Sequence, residues 1–303
     1  MKKRKLGSSD LFVSELGLGC MSIGTEEKAA RLIIESALAE GVNYFDTADL
    51  YDFGENEKIL GQALKDVREK VIIASKVGNR RNNGQSGWSW DPSKTYIKEA
   101  VKNSLKRLGT DYIDLYQLHG GTIEDPIDET IEAFEELIEE GYIRYYGISS
   151  IRPNVIREYA KKSGIVSVMM QYSILDRRPE EEALPLLHDN GISTVTRGSL
   201  AKGLLSDRML EKISEKGYLD YSRKELSETL PLLKEKVAAA RSLTEVALQY
   251  NLANPAVASI VAGASSPEQI RSNADAVRSR SLTDEEIAVI QKLSKVATYK
   301  EHR

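Results

Sequence analysis

Four side chains of complementary chemistry recur at one kind of position in this sequence. Asp46, Lys76 and His119 each close a short apolar run, and Tyr51 follows the first of them by five residues. A phenol titrates near ~10 and is a poor acid at neutral pH. An adjacent ammonium stabilises the phenolate, which predicts a lowered pKa for Tyr51. A carboxylate beside the ammonium orients it and balances its charge, and an imidazole can hold a carbonyl oxygen. Together they could polarise and protonate a C=O group as it gains a hydride. Singly, each has a plainer reading. Tyr and Lys in such loops usually face solvent, an Asp at a strand end often caps a helix, and a lone His is more often structural. Their shared position carries the argument, provided the fold brings them together.

The elements that must do so alternate along the chain. Apolar runs at 16–19, 43–46, 71–75, 113–118, 144–148, 166–171, 193–196 and 259–261 read as eight strands. Between them, apolar residues recur at helical spacing: Ala30, Ile33, Ile34, Ala37 and Leu38, then Ile97, Ala100, Val101, Leu105 and Leu108. Gly41, Gly109, Gly141, Gly164 and Gly191 fall where left-handed helix ends are expected. Asp125 and Pro126 read as cap and first residue of another helix. Alternating β and α units imply a parallel sheet, and eight of them a closed (β/α)8 barrel, whose chemistry gathers at the C-terminal ends of the strands. Residues 3–13 read as a small hairpin plugging the opposite mouth. Thr283 to Glu286 is a capping box that starts an extra C-terminal helix. The loops 77–92 (with Gly84, Trp88 and Trp90) and 206–222 (with Tyr218 and Tyr221) are long enough to suggest function. No linker divides residues 1–303, so one domain is expected.

Composition excludes other classes. Hydrophobic residues make up 41% and charged residues 29% of the 303, ordinary for a globular chain. A formal charge of -4, from 42 basic and 46 acidic residues, argues against nucleic-acid binding through a basic face. One cysteine, Cys20, and three dispersed histidines offer neither a disulfide nor metal-ligand spacing. No apolar run suits a membrane helix or a signal peptide. A cytoplasmic protein without membrane or nucleic-acid partners is expected.

The stretch Gly41-Val42-Asn43-Tyr44-Phe45-Asp46-Thr47-Ala48-Asp49-Leu50-Tyr51, with Glu57, Leu60 and Gly61, resembles the signature of the aldo-keto reductases. So do Ala74-Ser75-Lys76, Asp114 to His119, Tyr146 to Ser149 and Gly263 to Asn273, in order over nearly the whole chain. The resemblance implies the same barrel and a catalytic tetrad of Asp46, Tyr51, Lys76 and His119, with Tyr51 as proton donor. It implies a nicotinamide cofactor, NADPH with NADH not excluded, and a small aldehyde or ketone as substrate. By matched position, Gly19, Met21, Asp46, Ser149 and Gln171 would surround the nicotinamide. Leu200, Lys202 and Gly203 would follow the pyrophosphate. Gly263, Ser265, Gln269 and Asn273 would surround the adenosine. Leu50, Phe53, Trp88 and Trp90 are expected to wall the substrate.

Two departures stand out. Arg197 occupies the place of an aromatic residue that stacks on the nicotinamide in many members, and its guanidinium could stack there instead or turn to an anionic group. Neither Gly263 nor Gln269 is cationic, leaving Ser265, Ser266 and Arg271 as donors for a 2′-phosphate. Gly17-Leu18-Gly19 resembles the start of a dinucleotide-binding fingerprint, but its sixth position is Ser22. Rival readings are a cofactor-binding regulatory subunit and an unrelated barrel lyase or isomerase.

Overall fold

The computed structural model describes residues 1–81 and 87–303; Gly84 lies outside them. The first strands, β1 (Lys3–Lys5) and β2 (Phe12–Ser14), form the expected antiparallel hairpin. Next come β3 (Leu16–Gly19), α1 (Glu27–Ala39), β4 (Tyr44–Asp46), α2 (Glu55–Leu64) and β5 (Ile72–Val77). The first long loop is itself a hairpin of β6 (Asn79–Arg81) and β7 (Trp88–Trp90). The chain continues with α3 (Lys94–Leu108), β8 (Ile113–Leu118), α4 (Ile127–Glu139), β9 (Ile143–Ser149), α5 (Pro153–Lys162), β10 (Ser167–Gln171), α6 (Ala183–Asp189) and β11 (Ser193–Arg197). Beyond lie α7 (Met209–Lys212), α8 (Arg223–Val237), α9 (Leu243–Ala253), β12 (Val257–Gly263), α10 (Pro267–Arg278) and the extra helix α11 (Asp284–Leu293). Thr283 and Glu286 make the capping box of α11.

Eight parallel strands close in the order β3-β4-β5-β8-β9-β10-β11-β12, with β12 pairing back to β3. Side chains alternate in and out along each strand. Tyr44, Ile72, Ala74, Leu115, Met169 and Val195 fill the interior, where Leu6, Leu11 and Val13 of the hairpin join them from below. Phe45, Ile73, Tyr116 and Leu118 face the helices. The same parity turns Asp46, Lys76 and Gln117 inward at the upper mouth. Gly61 sets the fit of α2 on α3: a Cβ there would stand 2.1 Å from the Leu108 carbonyl oxygen.

Two local expectations are corrected. Pro126, not Asp125, holds the cap position of α4, because the Asp125 carboxylate accepts from the Thr122 backbone N–H at 2.7 Å and from Trp90 Nε1 at 3.0 Å. Gly164 is not left-handed: α5 ends at Ser163 in extended conformation, and the Gly164 N–H donates to Tyr146 Oη at 2.9 Å.

Candidate active site

At the upper mouth the Lys76 ammonium is saturated by acceptors. It donates to Asp46 Oδ1 at 2.6 Å, the Thr47 carbonyl at 2.8 Å and Tyr51 Oη at 3.3 Å. Lys76 is 1% exposed and Asp46 3%. Gln117 Nε2 lies 3.5 Å from the second Asp46 oxygen. An ammonium has only donors, so Tyr51 Oη must accept from it. The phenol's own hydrogen is thereby left for a partner in the cleft. His119 continues from β8, its backbone N–H donating to Val77 O at 2.7 Å. Its ring meets that of Tyr51 edge-on, with centroids 6.0 Å apart.

The turn that carries Tyr51 is costly. Asp52 and Phe53 are both left-handed, at φ 46 and 57, a conformation that costs a non-glycine residue roughly 1–2 kcal/mol. Phe53 is 62% exposed, with the Arg81 guanidinium 4.1 Å above its ring. Behind the turn, the buried Glu57 accepts from Ser75 Oγ at 2.5 Å and Arg107 Nε at 2.6 Å. The first contact ties α2 to the strand bearing Lys76 and the second ties it to α3.

Burial decides the protonation states. It pushes the His119 pKa down to about 3, helped by the positive charges of Lys76 and Arg197, so the imidazole is neutral. Burial opposes the Lys76 charge, but Asp46 and Tyr51 outweigh it and the pKa is raised. Asp46 is lifted by burial against the pull of Lys76 and Gln117. The expectation for Tyr51 is overturned. Burial raises its pKa and outweighs the lowering by Lys76, because removing a phenolate from water costs more than one ammonium at this distance returns. The phenol is therefore a loaded proton donor at neutral pH.

A cleft of about 960 Å³ opens above these groups. Gly19, Met21, Asp46, Leu50, Tyr51, Trp88, His119, Ser149, Gln171, Arg197, Lys202 and Gly263 line it. Phe53, Trp90, Leu200, Gly203, Ser265, Gln269 and Asn273 are not on its wall. Trp90 instead packs beneath Gly78 and Gly120 and bonds to Asp125. The Ser265 N–H donates to Gln269 Oε1 at 2.8 Å, and Asn273 is buried.

The donor set suits a dinucleotide. Gly19 and Gly263 are register partners and put bare backbone on the wall, and Ser149 adds a hydroxyl. Gln171 is already engaged: its Nε2 donates to Asp176 Oδ2 at 2.8 Å, and its Oε1 accepts from Arg197 Nη1 at 3.2 Å. Sequence reasoning missed Arg152, Gly120, Gly121 and the C-terminal stretch 298–302, all on the wall. Arg152 was signalled by its place just after a strand end and before a helix-starting proline. The final stretch has no periodicity to announce it.

Comparison with known proteins agrees with this architecture. The family model described as "Aldo/keto reductase family" matches residues 15–295. The chain is 61% identical, over 100% of both lengths, to "Uncharacterized oxidoreductase YqkF" of Bacillus subtilis (strain 168). It is 34% identical to the "NADH-specific methylglyoxal reductase" of Escherichia coli (strain K12), covering 91% of this chain and 94% of that one. Among solved structures, "aldo-keto reductase AKR11C1 from Bacillus halodurans (holo form)" superimposes with a TM-score of 0.95 at 62% identity, covering 100% of this chain and 99% of that one.

Proposed function

The chain belongs to the aldo/keto reductase family of oxidoreductases, and from that premise we propose that it reduces a small aldehyde or ketone to an alcohol with NADPH. The observation that carries this reading is the buried Lys76 ammonium, held between Asp46 at 2.6 Å and Tyr51 at 3.3 Å. Enzymes of this family use a nicotinamide cofactor, which supplies the hydride. Here Gly19, Met21, Ser149, Gln171 and Arg197 would hold its reactive end, and Lys202 its phosphates. The neutral His119 positions the carbonyl oxygen. Tyr51 gives that oxygen a proton as negative charge develops, and Lys76 stabilises the resulting phenolate. Met21, Leu50 and Trp88 give the substrate an apolar wall.

One relative is by name NADH-specific. Arg271, the cation in the segment expected around the 2′-phosphate, already bonds to Glu268 at 2.9 Å. No helix among the described residues is long and apolar enough to cross a membrane, in keeping with a cytoplasmic enzyme. The alternative, a cofactor-binding regulatory subunit, would not need a phenol left free to donate.

Tyr51→Phe tests the proposal. It should bind NADPH with near-wild-type affinity, read by tryptophan fluorescence, and lose at least about 100-fold in kcat across an aldehyde panel. Undiminished turnover would remove Tyr51 as the acid, and no turnover by the wild-type protein would favour the regulatory reading.

A further inference from the structure

The cations on the cleft wall are unequally compensated. Arg178 is held by Asp176 at 2.7 Å, and Lys300 faces Asp220 at 3.5 Å. Among the described residues Arg197, Lys202 and Arg152 have no carboxylate partner. Arg197 ends β11 and Lys202 follows it, on the side assigned above to the cofactor. Arg152 stands elsewhere. It follows β9, the neighbour of the strand that leads into His119. Its guanidinium donates to the carbonyl oxygen of Gly121, two residues beyond His119. That bond satisfies an N–H without offsetting the charge. The nearby loop carboxylate, Asp125, is committed to Thr122 and Trp90. A half-buried cation that makes no ion pair among the described residues thus shares the wall with Trp88, Ile151 and His119.

We infer that Arg152 anchors a carboxylate on the substrate, so that this enzyme acts on carbonyl compounds bearing an anionic group. A guanidinium presents paired N–H donors that match a carboxylate, and such charge-assisted bonds are about twice as strong as neutral ones. The bond to Gly121 keeps the guanidinium on the loop that begins at His119, so an anion held there lies on the same wall as the C=O held at His119. The inference rests on the carbonyl-reduction reading for its chemistry. It makes Arg152 a specificity determinant and gives it no part in hydride or proton transfer.

The test is Arg152→Gln in the full chain with NADPH. Glutamine removes the charge and keeps a side-chain N–H donor on a shorter stem, and the acid-to-ester ratio cancels any loss common to both substrates. The paired substrates are 4-oxobutanoate and its methyl ester. The wild-type protein should favour the acid, and the variant's acid-to-ester ratio of kcat/KM should fall about 10- to 100-fold, with KM carrying the loss. An equal ratio in the two proteins, or a wild-type preference for the ester, overturns the inference. If neither compound nor any neutral aldehyde is reduced, the carbonyl-reduction reading fails, and the anchor is judged by binding. Succinate should then perturb the tryptophan fluorescence of the wild-type protein at concentrations at least tenfold below those the variant needs. Equal titrations would overturn it.

Discussion

Replacing Lys76 by methionine should separate its two roles. The ammonium and the Asp46 carboxylate are buried 2.6 Å apart, and the only other side-chain donor to Asp46 among the described residues is Gln117 at 3.5 Å. Removing the lysine strands a buried carboxylate, a change that typically costs about 3–5 kcal/mol. Adding Asp46→Asn removes the stranded charge and should restore at least about half of that loss, since replacing both members of a buried pair is far milder than breaking it. Urea unfolding at pH 7 of the wild type, both single variants and the double variant gives the coupling directly. The loss in Lys76→Met should shrink at pH 5 relative to pH 8, because the stranded Asp46, its carboxyl raised by burial, then takes up a proton. Turnover should stay at least about 100-fold down in both lysine variants, as nothing then orients the Tyr51 hydroxyl or stabilises its phenolate. Additive single-variant effects would refute the buried pair, and near-normal turnover in Lys76→Met would refute the orienting role.

Three further changes bear on other parts of the structure. Asp49 has a buried oxygen without a partner, and burial together with the Glu57 charge pushes its pKa up to about 7. The folded state therefore binds the extra proton between about pH 4 and 7, and stability is lost as pH rises through that window. Asp49→Asn should gain stability over the wild type at pH 8, by as much as about 4 kcal/mol, and much less at pH 4; equal gains in unfolding experiments at the two pH values would refute this. Gly61→Ala should destabilise by at least about 1–3 kcal/mol in urea unfolding, because its methyl meets the rigid Leu108 backbone. The charge of Arg197 is felt at Asp46, Tyr51 and His119. Arg197→Tyr should therefore tighten NADP+ relative to NADPH in fluorescence titrations, and an unchanged affinity ratio would sink the charge argument.

The barrel was legible because its strands are apolar runs bounded by helix-ending glycines, and the meeting of Asp46, Tyr51, Lys76 and His119 at one mouth because three of them sit at strand ends whose inward parity is forced by the pleat. What stayed hidden depends on contacts. Trp90 is indistinguishable in sequence from a pocket wall, yet Gly78, Gly120 and Asp125 claim it. The β6–β7 ribbon lies largely outside the core and lacks the apolar alternation that marks a half-buried strand. The Tyr51 pKa could not be signed from its neighbour alone, since the competing cost of burial is set by the whole barrel mouth.

The N-terminal plug bears on how the chain is made. Arg4, in the hairpin beneath the barrel, donates to the carbonyl oxygens of Leu252 and Val257. The seam that completes the ring joins β3 to β12 across some 240 residues of intervening chain. Until that last strand emerges, the nascent protein has two open sheet edges and an unsealed interior, the condition under which slow, aggregation-exposed folding is expected. Closure thus waits for β12, and the hairpin carrying Arg4 finds its place only after a strand about 240 residues further on has been made.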